Sequence, residues 1–253
     1  MTSFSTYDEA RAALGTVLDP ELDEPITDLG FVRSLDVRGD GSVEVHLRLP
    51  TSFCAPNFAY LMASDAKDVL VALPWTSRVV VELDDHHDSD LINAGLAADA
   101  GYRGTFRHEA DDSLDELRET FRRKAHTAAM ERCLTALLRA QSDREVASLG
   151  EVTLGDLPPG EHTEALLRRR RAIGLSDRAE ALVMVDHEGH GYPPDEVPMR
   201  LRRARSTRIS IEGNAHFCRG LLRTRYPESG ADQAPCAEEP TFIPLSTSKE
   251  KVS

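Results

Sequence analysis

Cysteine is scarce in this chain and never closely paired. Its four cysteines, Cys54, Cys133, Cys218 and Cys236, are spread over 253 residues with no CxxC and no zinc-type spacing. That spacing disfavours a self-contained zinc ribbon or a ferredoxin, which need about four close ligands. It also argues for free thiols rather than a disulfide framework. No apolar run approaches the roughly 18–20 residues that span a bilayer. The opening "MTSFSTYDEARAALG" lacks the basic flank and apolar block of a secretory signal. These absences make a cytoplasmic protein with no membrane partner the expectation. Basic residues are few in the first part, where residues 1–104 hold 7 Lys/Arg against 18 Asp/Glu. Such a surface argues against nucleic acid as a partner. The glycines of "GDG" and "LGDLPPG" follow no phosphate-loop pattern, so nothing supports ATP binding.

What the chain does have is enough length for one large or two small domains and an ordinary 40% hydrophobic content. Residues 6–18 carry Ala10, Ala13, Leu14 and Val17 at helical spacing, with Thr6 and Glu9 placed as a capping box. "DPELDEP" then stops the helix, because Pro20 and Pro25 each restrict the residue before them. Two β-like runs, "FVRSLDVR" and "SVEVHLRL", flank "GDG" and read as a hairpin, with Val43, Val45, Leu47 and Leu49 on one face. Residues 57–72 read as an amphipathic helix with Pro56 at its first position. "TSRVVVELDD" supplies a third strand. The order helix, strand, strand, helix, strand makes an α+β domain at residues 1–87.

Residues 88–110 read as a short helix and linker. A second α+β domain is expected at 111–227: a long helix near 112–141, a short one at "PPGEHTEALLRRRRAIGL", strands at "ALVMVD" and "RISIEG", and a terminal helix starting at Gly213 or Asn214. From Glu228 the composition turns to Pro, Ser, Glu and Lys, the mark of a disordered tail at 228–253 that contains Cys236. The basic runs "RRRR" (168–171) and "RLRRARSTR" (200–208) read as solvated helix faces.

The stretch "LPTSFCAPNFAYLM" sets Cys54 at the mouth of the 57–72 helix. Unsatisfied N–H groups and the positive end of the helix dipole favour a thiolate there. Thr51 and Ser52 are placed to cap the same turn, and Phe53, Pro56 and Phe58 to keep it partly apolar. From the residues alone, Cys54 is a small buried side chain, a nucleophile, half of a disulfide or a soft metal ligand. No histidine in the first 85 residues looks like a partner base, because His46 points opposite the apolar face of its strand; this disfavours a cysteine hydrolase.

The succession Asp19-Pro20-Glu21, Ile26-Thr27-Asp28-Leu29-Gly30, the "GDG" hairpin and Thr51-Ser52-Phe53-Cys54 resembles the SufT/PaaD-like iron–sulfur cluster assembly factors over about residues 8–85. Here Ala55 stands where members usually have a proline directly after the cysteine. The resemblance implies an assembly factor and not a turnover enzyme, with Cys54 contacting a transient iron–sulfur cluster or iron and with Thr51 and Asp28 lining the pocket. One thiolate does not ligate a whole cluster, so the resemblance further implies ligands shared across a homodimer, with a scaffold, or with the client apo-metalloenzyme. The chain also resembles long actinobacterial forms that accompany multicomponent diiron monooxygenases, which would make one of those enzymes the client.

Three other groups are candidates. Glu212, His216 and Cys218 lie together in "IEGNAHFCRG" and offer a carboxylate, an imidazole and a thiol to iron or zinc; the plainer reading has Phe217, Leu221 and Leu222 packing inward. "LDDHHDSD" (83–90) gathers hard ligands after the third strand. "DHEGHGYPP" (186–194) places His187 and His190 in a turn. Two further functions compete with the assembly factor: a protein-interaction adaptor without metal chemistry, and an enzyme working through Cys218, His216 and Glu212.

Overall fold

The sheet begins at the Asp-Gly turn. Strands β1 (Val32–Val37) and β2 (Ser42–Arg48) pair antiparallel across it. Gly41 sits at φ +81°, where a Cβ would meet the Trp75 carbonyl oxygen, so only glycine turns the chain here without strain. The computed structural model describes residues 5–106 and 114–235. Helix α1 (Thr6–Leu14) precedes the hairpin, capped by Ser5 and Asp8 one residue earlier than the sequence suggests. Helix α2 (Pro56–Val71) crosses over to β3 (Arg78–Asp84), which lies parallel to β2, in the order β1-β2-β3. A parallel neighbour requires such a crossover, and α2 provides it.

Val43, Val45, Leu47 and Leu49 are all buried, as their alternation predicts, in one core with Ala59, Met62, Ala66 and Leu70 of α2 and Leu14 of α1. The family-like α+β domain is therefore present in the expected order. Where residues 88–110 are described, they hold the expected short helix and a second one after it. Helices α3 (Ser89–Ala97) and α4 (Gly101–Phe106) put Ile92, Leu96 and Phe106 into the same core. Gly95 allows this pairing, because a Cβ there would overlap the Thr105 side chain.

The second half is built differently from the expectation. Helix α5 (Leu114–Ala140), α6 (Glu161–Ala172) and α7 (Val197–Arg225) pack around Met130, Leu134, Leu137, Leu166 and Leu201. Neither expected strand is formed. "ALVMVD" runs through buried Val183, Met184 and Val185 as a bent segment with isolated bridges only. "RISIEG" lies inside α7, which starts sixteen residues before Gly213. Among the described residues no strand follows β3, and no helix is long and apolar enough to cross a membrane.

Helix α7 belongs to both cores: Val197, Leu201 and Ala204 lie in the second, and Ala215, Leu222 and the following Tyr226 in the first. Residues 228–235 are also placed, contrary to a disordered tail from Glu228. A 3-10 turn at Pro227–Ala231 brings Glu228 and Asp232 to the buried Arg48, at 3.0 and 2.5 Å. Cys236 and the rest of the tail lie outside the described residues.

The basic runs are solvated in part, with Arg168, Arg171, Arg202 and Arg203 exposed, while other members are tied to their own chain. Arg169 pairs with Asp23. Arg170 is buried and donates to the carbonyls of Ser176 and Leu182. Arg205 and Arg208 close on Glu131, whose side chain is fully enclosed.

Candidate functional site

Because β2 and β3 are parallel, their carboxyl ends lie side by side and the loops that follow them meet. Crevices beyond such strand ends are where sheets of this kind commonly hold ligands. The first loop, residues 49–55, carries Cys54; the second, residues 85–88, carries the two histidines. The His87 N–H donates to the Ser52 carbonyl at 2.9 Å, and the Phe53 and His87 rings sit 5.7 Å apart. The His86 ring, buried, lies 2.9 Å from the Cys54 carbonyl through Nε2 and takes the Asp88 N–H at Nδ1.

The Cys54 sulfur is half-buried against the first core. Thr51 Oγ1 lies 3.5 Å from it and accepts the Phe53 N–H, so Thr51 stands beside the sulfur but does not cap the helix. Ala55 occupies the N-cap position and α2 has no side-chain cap there. Pro56 brings no N–H to the first turn, and the Phe58 N–H is taken by the Ala55 carbonyl and the Asn57 side chain, so it is the positive end of the helix dipole rather than a set of open donors that meets the cysteine loop. Phe53 is 78% exposed, so the expected apolar shelter on that side is absent.

Asp28 is engaged elsewhere. Its carboxylate accepts the Thr27 hydroxyl, and its carbonyl accepts Arg219 and the Ala234 N–H. No hydrogen bond joins Asp28 to Thr51 or Cys54 among the described residues.

The "IEGNAHFCRG" candidates separate along α7. Glu212 is held by Arg132 at 3.2 Å and Arg208 at 2.6 Å. His216 is exposed, and two residues along a helix put it on a different face from Cys218. Phe217 and Leu221 are exposed and only Leu222 packs inward. Cys218 instead joins the first core beside the acidic turn that precedes β1. Its thiol is pushed up to about 12, by burial first and then by the negative charges of Asp19, Cys54 and Glu21. Two thiols 164 positions apart in sequence thus share one neighbourhood.

The turn "DPELDEP" is where α7 docks. Asn214 donates to Glu21 at 3.1 Å, and Arg219 pairs with Glu24. Asp19 is buried, its Oδ1 taking the N–H groups of Glu21 and Leu22 at 2.9 and 2.8 Å. Desolvation outweighs those bonds and raises its carboxyl to about 6.

The acids and histidines of "LDDHHDSD" act as fasteners. Asp84 takes Arg33 and His46, Asp85 takes the Tyr226 hydroxyl at 2.8 Å, and His86 holds the cysteine loop. In "DHEGHGYPP", ligand atoms of Asp186, Glu188 and His190, not His187, lie within 4.8 Å of one another on an exposed turn. Sequence reasoning missed the roles of His86 and Asp19. The parallel pairing of β2 with β3 would have revealed the first, since it brings the two loops together.

A family model described as iron–sulfur cluster assembly protein matches residues 7–83. An iron–sulfur cluster carrier protein of Mycobacterium tuberculosis is 45% identical over 74 residues, 29% of this chain and 19% of the relative. The Mycobacterium leprae carrier is 38% identical over 72 residues, 28% of this chain and 18% of the relative. The match therefore spans about a fifth of the length of those carriers. An uncharacterized protein of Methanocaldococcus jannaschii is 31% identical over 91 residues, 36% of this chain and 94% of that protein.

Proposed function

From a chain that belongs to the iron–sulfur cluster assembly protein family through residues 7–83, we propose a carrier that holds an iron–sulfur cluster or iron transiently at Cys54 and passes it to a client apo-metalloenzyme. The observation that carries this reading is the setting of the Cys54 sulfur. It is half-buried, beside Thr51, at the uncapped start of α2, on a loop fixed from below by His86. A soft thiolate in such a place suits iron, and partial exposure suits release.

The same reading makes Cys218 the second protein ligand, with Thr51 offering a hydroxyl to the bound cargo. Two thiolates leave iron coordinatively unsaturated, because a cluster takes about four cysteine-type ligands. The remaining positions fall to the client or to a second copy of the chain, which makes holding weak and transfer direct. The cargo is exchanged and not turned over, so the protein acts as an assembly factor and not as an enzyme. The resemblance to chains that accompany diiron monooxygenases makes such an enzyme the first client to test.

The test is anaerobic reconstitution of the full chain with ferrous iron and sulfide, followed by gel filtration, metal and sulfide analysis and absorbance. Wild type retains iron, Cys54→Ser does not, and both melt at the same temperature. Equal retention by wild type and Cys54→Ser, or none by either, would overturn the carrier reading.

A further inference from the structure

A cavity of about 260 Å³ lies between α5, the first half of α7 and the loop at 185–192, within the half of the chain that the family match does not reach. Its lining is cationic in a protein of net charge −13: Arg123 and Lys124 from α5, Arg200 and Arg203 from α7. Asp186 is the single carboxylate among the lining residues, and it already accepts the N–H groups of Glu188 and His190 at 2.9 Å. Arg123 is shared with Glu119, and Arg200 with Glu196 while its guanidinium stacks on Tyr192. Arg203 has no ion-pair partner among the described residues.

The cavity wall also includes a polar group with nothing to bind. His126 is 2% exposed, and its Nε2 has no hydrogen-bond partner among the described residues. Burial, and then the charges of Arg170 and Arg169, push this imidazole down to about 4, so it is neutral at physiological pH. A buried ring nitrogen left unpaired costs about 1–3 kcal/mol, and such groups usually mark a missing partner. That nitrogen has almost no accessible surface, so the ring lines the cavity without presenting Nε2 to it, and it is the surrounding cations that select an oxygen carrying negative charge.

We propose that this cavity binds a small oxyanion of charge two or more, a phosphate ester or a polycarboxylate, held by Arg203 with Arg200 and Lys124 against the wall that the His126 ring helps to form. The volume lies below the roughly 300–1,000 Å³ of drug-sized sites, which fits a ligand of few carbons. The site is separate from the cysteine loop and stands whether or not that loop carries iron.

Isothermal titration of the full chain at constant ionic strength, with inorganic phosphate, pyrophosphate and citrate, tests the assignment. At least one of the three binds saturably at a single site, and its addition shifts the His126 Nε2 resonance in nitrogen NMR. A preference for the phosphates or for citrate identifies the source of the charge. Arg203→Glu weakens binding about tenfold or more, while Arg202→Glu, an exposed neighbour outside the lining, leaves it nearly unchanged. No saturable binding, equal losses in the two variants, or an unmoved His126 resonance at saturation would overturn the site.

Discussion

His86 and Cys54 are joined through the main chain. The imidazole Nε2 sits 2.9 Å from the Cys54 carbonyl oxygen while Nδ1 receives the Asp88 N–H at 3.1 Å. One neutral tautomer, with the proton on Nε2, satisfies both contacts at once. The residue that presents the sulfur is thereby anchored to the end of a neighbouring strand, and His86 positions the cysteine through its main chain alone.

His86→Ala removes a buried donor and an acceptor together, a loss of about 1–3 kcal/mol by denaturant unfolding. Iron retention in the reconstituted chain falls although Cys54 is intact, and His86→Gln, whose amide can still donate, recovers part of it. Full retention by His86→Ala would show that the loop holds its shape without the ring.

Cys218, pushed up to about 12, is a neutral thiol at physiological pH, and as the proposed second ligand it would have to give up its proton to bind the metal. Cys218→Ser therefore lowers iron affinity about tenfold and removes about one proton from those released on binding. Titrations in two buffers of different ionisation enthalpy read that number. Identical proton release in wild type and variant would leave Cys54 to act without it.

Asp19 gives a pH signature in stability. Its folded carboxyl titrates at about 6 against an ordinary 3.8, so the native state holds this proton more tightly than the unfolded chain does. Stability falls as pH rises from about 4 to 6, and the deficit persists above. His126 slopes the opposite way, because its depressed value makes the native state lose stability as pH falls from about 6.5 towards 4. The difference between wild type and Asp19→Asn isolates the aspartate. The variant is more stable by about 1–3 kcal/mol at pH 7, and the gain disappears near pH 4. Parallel stability curves across that range would contradict this.

Arg48 is enclosed, with 1% of its side chain exposed, and its carboxylate partners Glu228 and Asp232 come from the far end of the chain. Cutting the chain after Tyr226 removes both and destabilises it by about 1–3 kcal/mol, the cost of leaving an enclosed donor without its half-exposed acceptors. A chain ending at Pro235 keeps the contacts and unfolds at the wild-type denaturant midpoint. Equal midpoints for the two truncations would mean that water replaces the acids at little cost.

The first domain was legible because its signals are local. Alternation at Val43, Val45, Leu47 and Leu49 fixes a buried strand face, and Pro56 followed by an apolar stripe fixes α2. In "RISIEG", alternating isoleucines imitate a strand, yet Ile211 is buried and Ile209 is 56% exposed on a continuous helix. Packing of the whole of α7 overrides that short preference. In "ALVMVD", hydrophobicity predicted burial correctly and the ladder wrongly, because the segment finds isolated bridges in place of a strand to pair with. Cys54 stood out from its position before a helix. Cys218 was noticed but grouped with His216 and Glu212, since linear spacing does not say which face of a helix meets a turn about 195 residues earlier.

Helix α7 runs for 29 residues, about 44 Å, with one half clamped in each core. A spar of that kind denies Cys54 the reach of a tethered arm: its sulfur explores space only as the whole molecule tumbles. If the chain is the carrier proposed above, hand-over to a client is a second-order event, limited by encounter and orientation, without the gain in effective concentration that a flexible swinging segment confers.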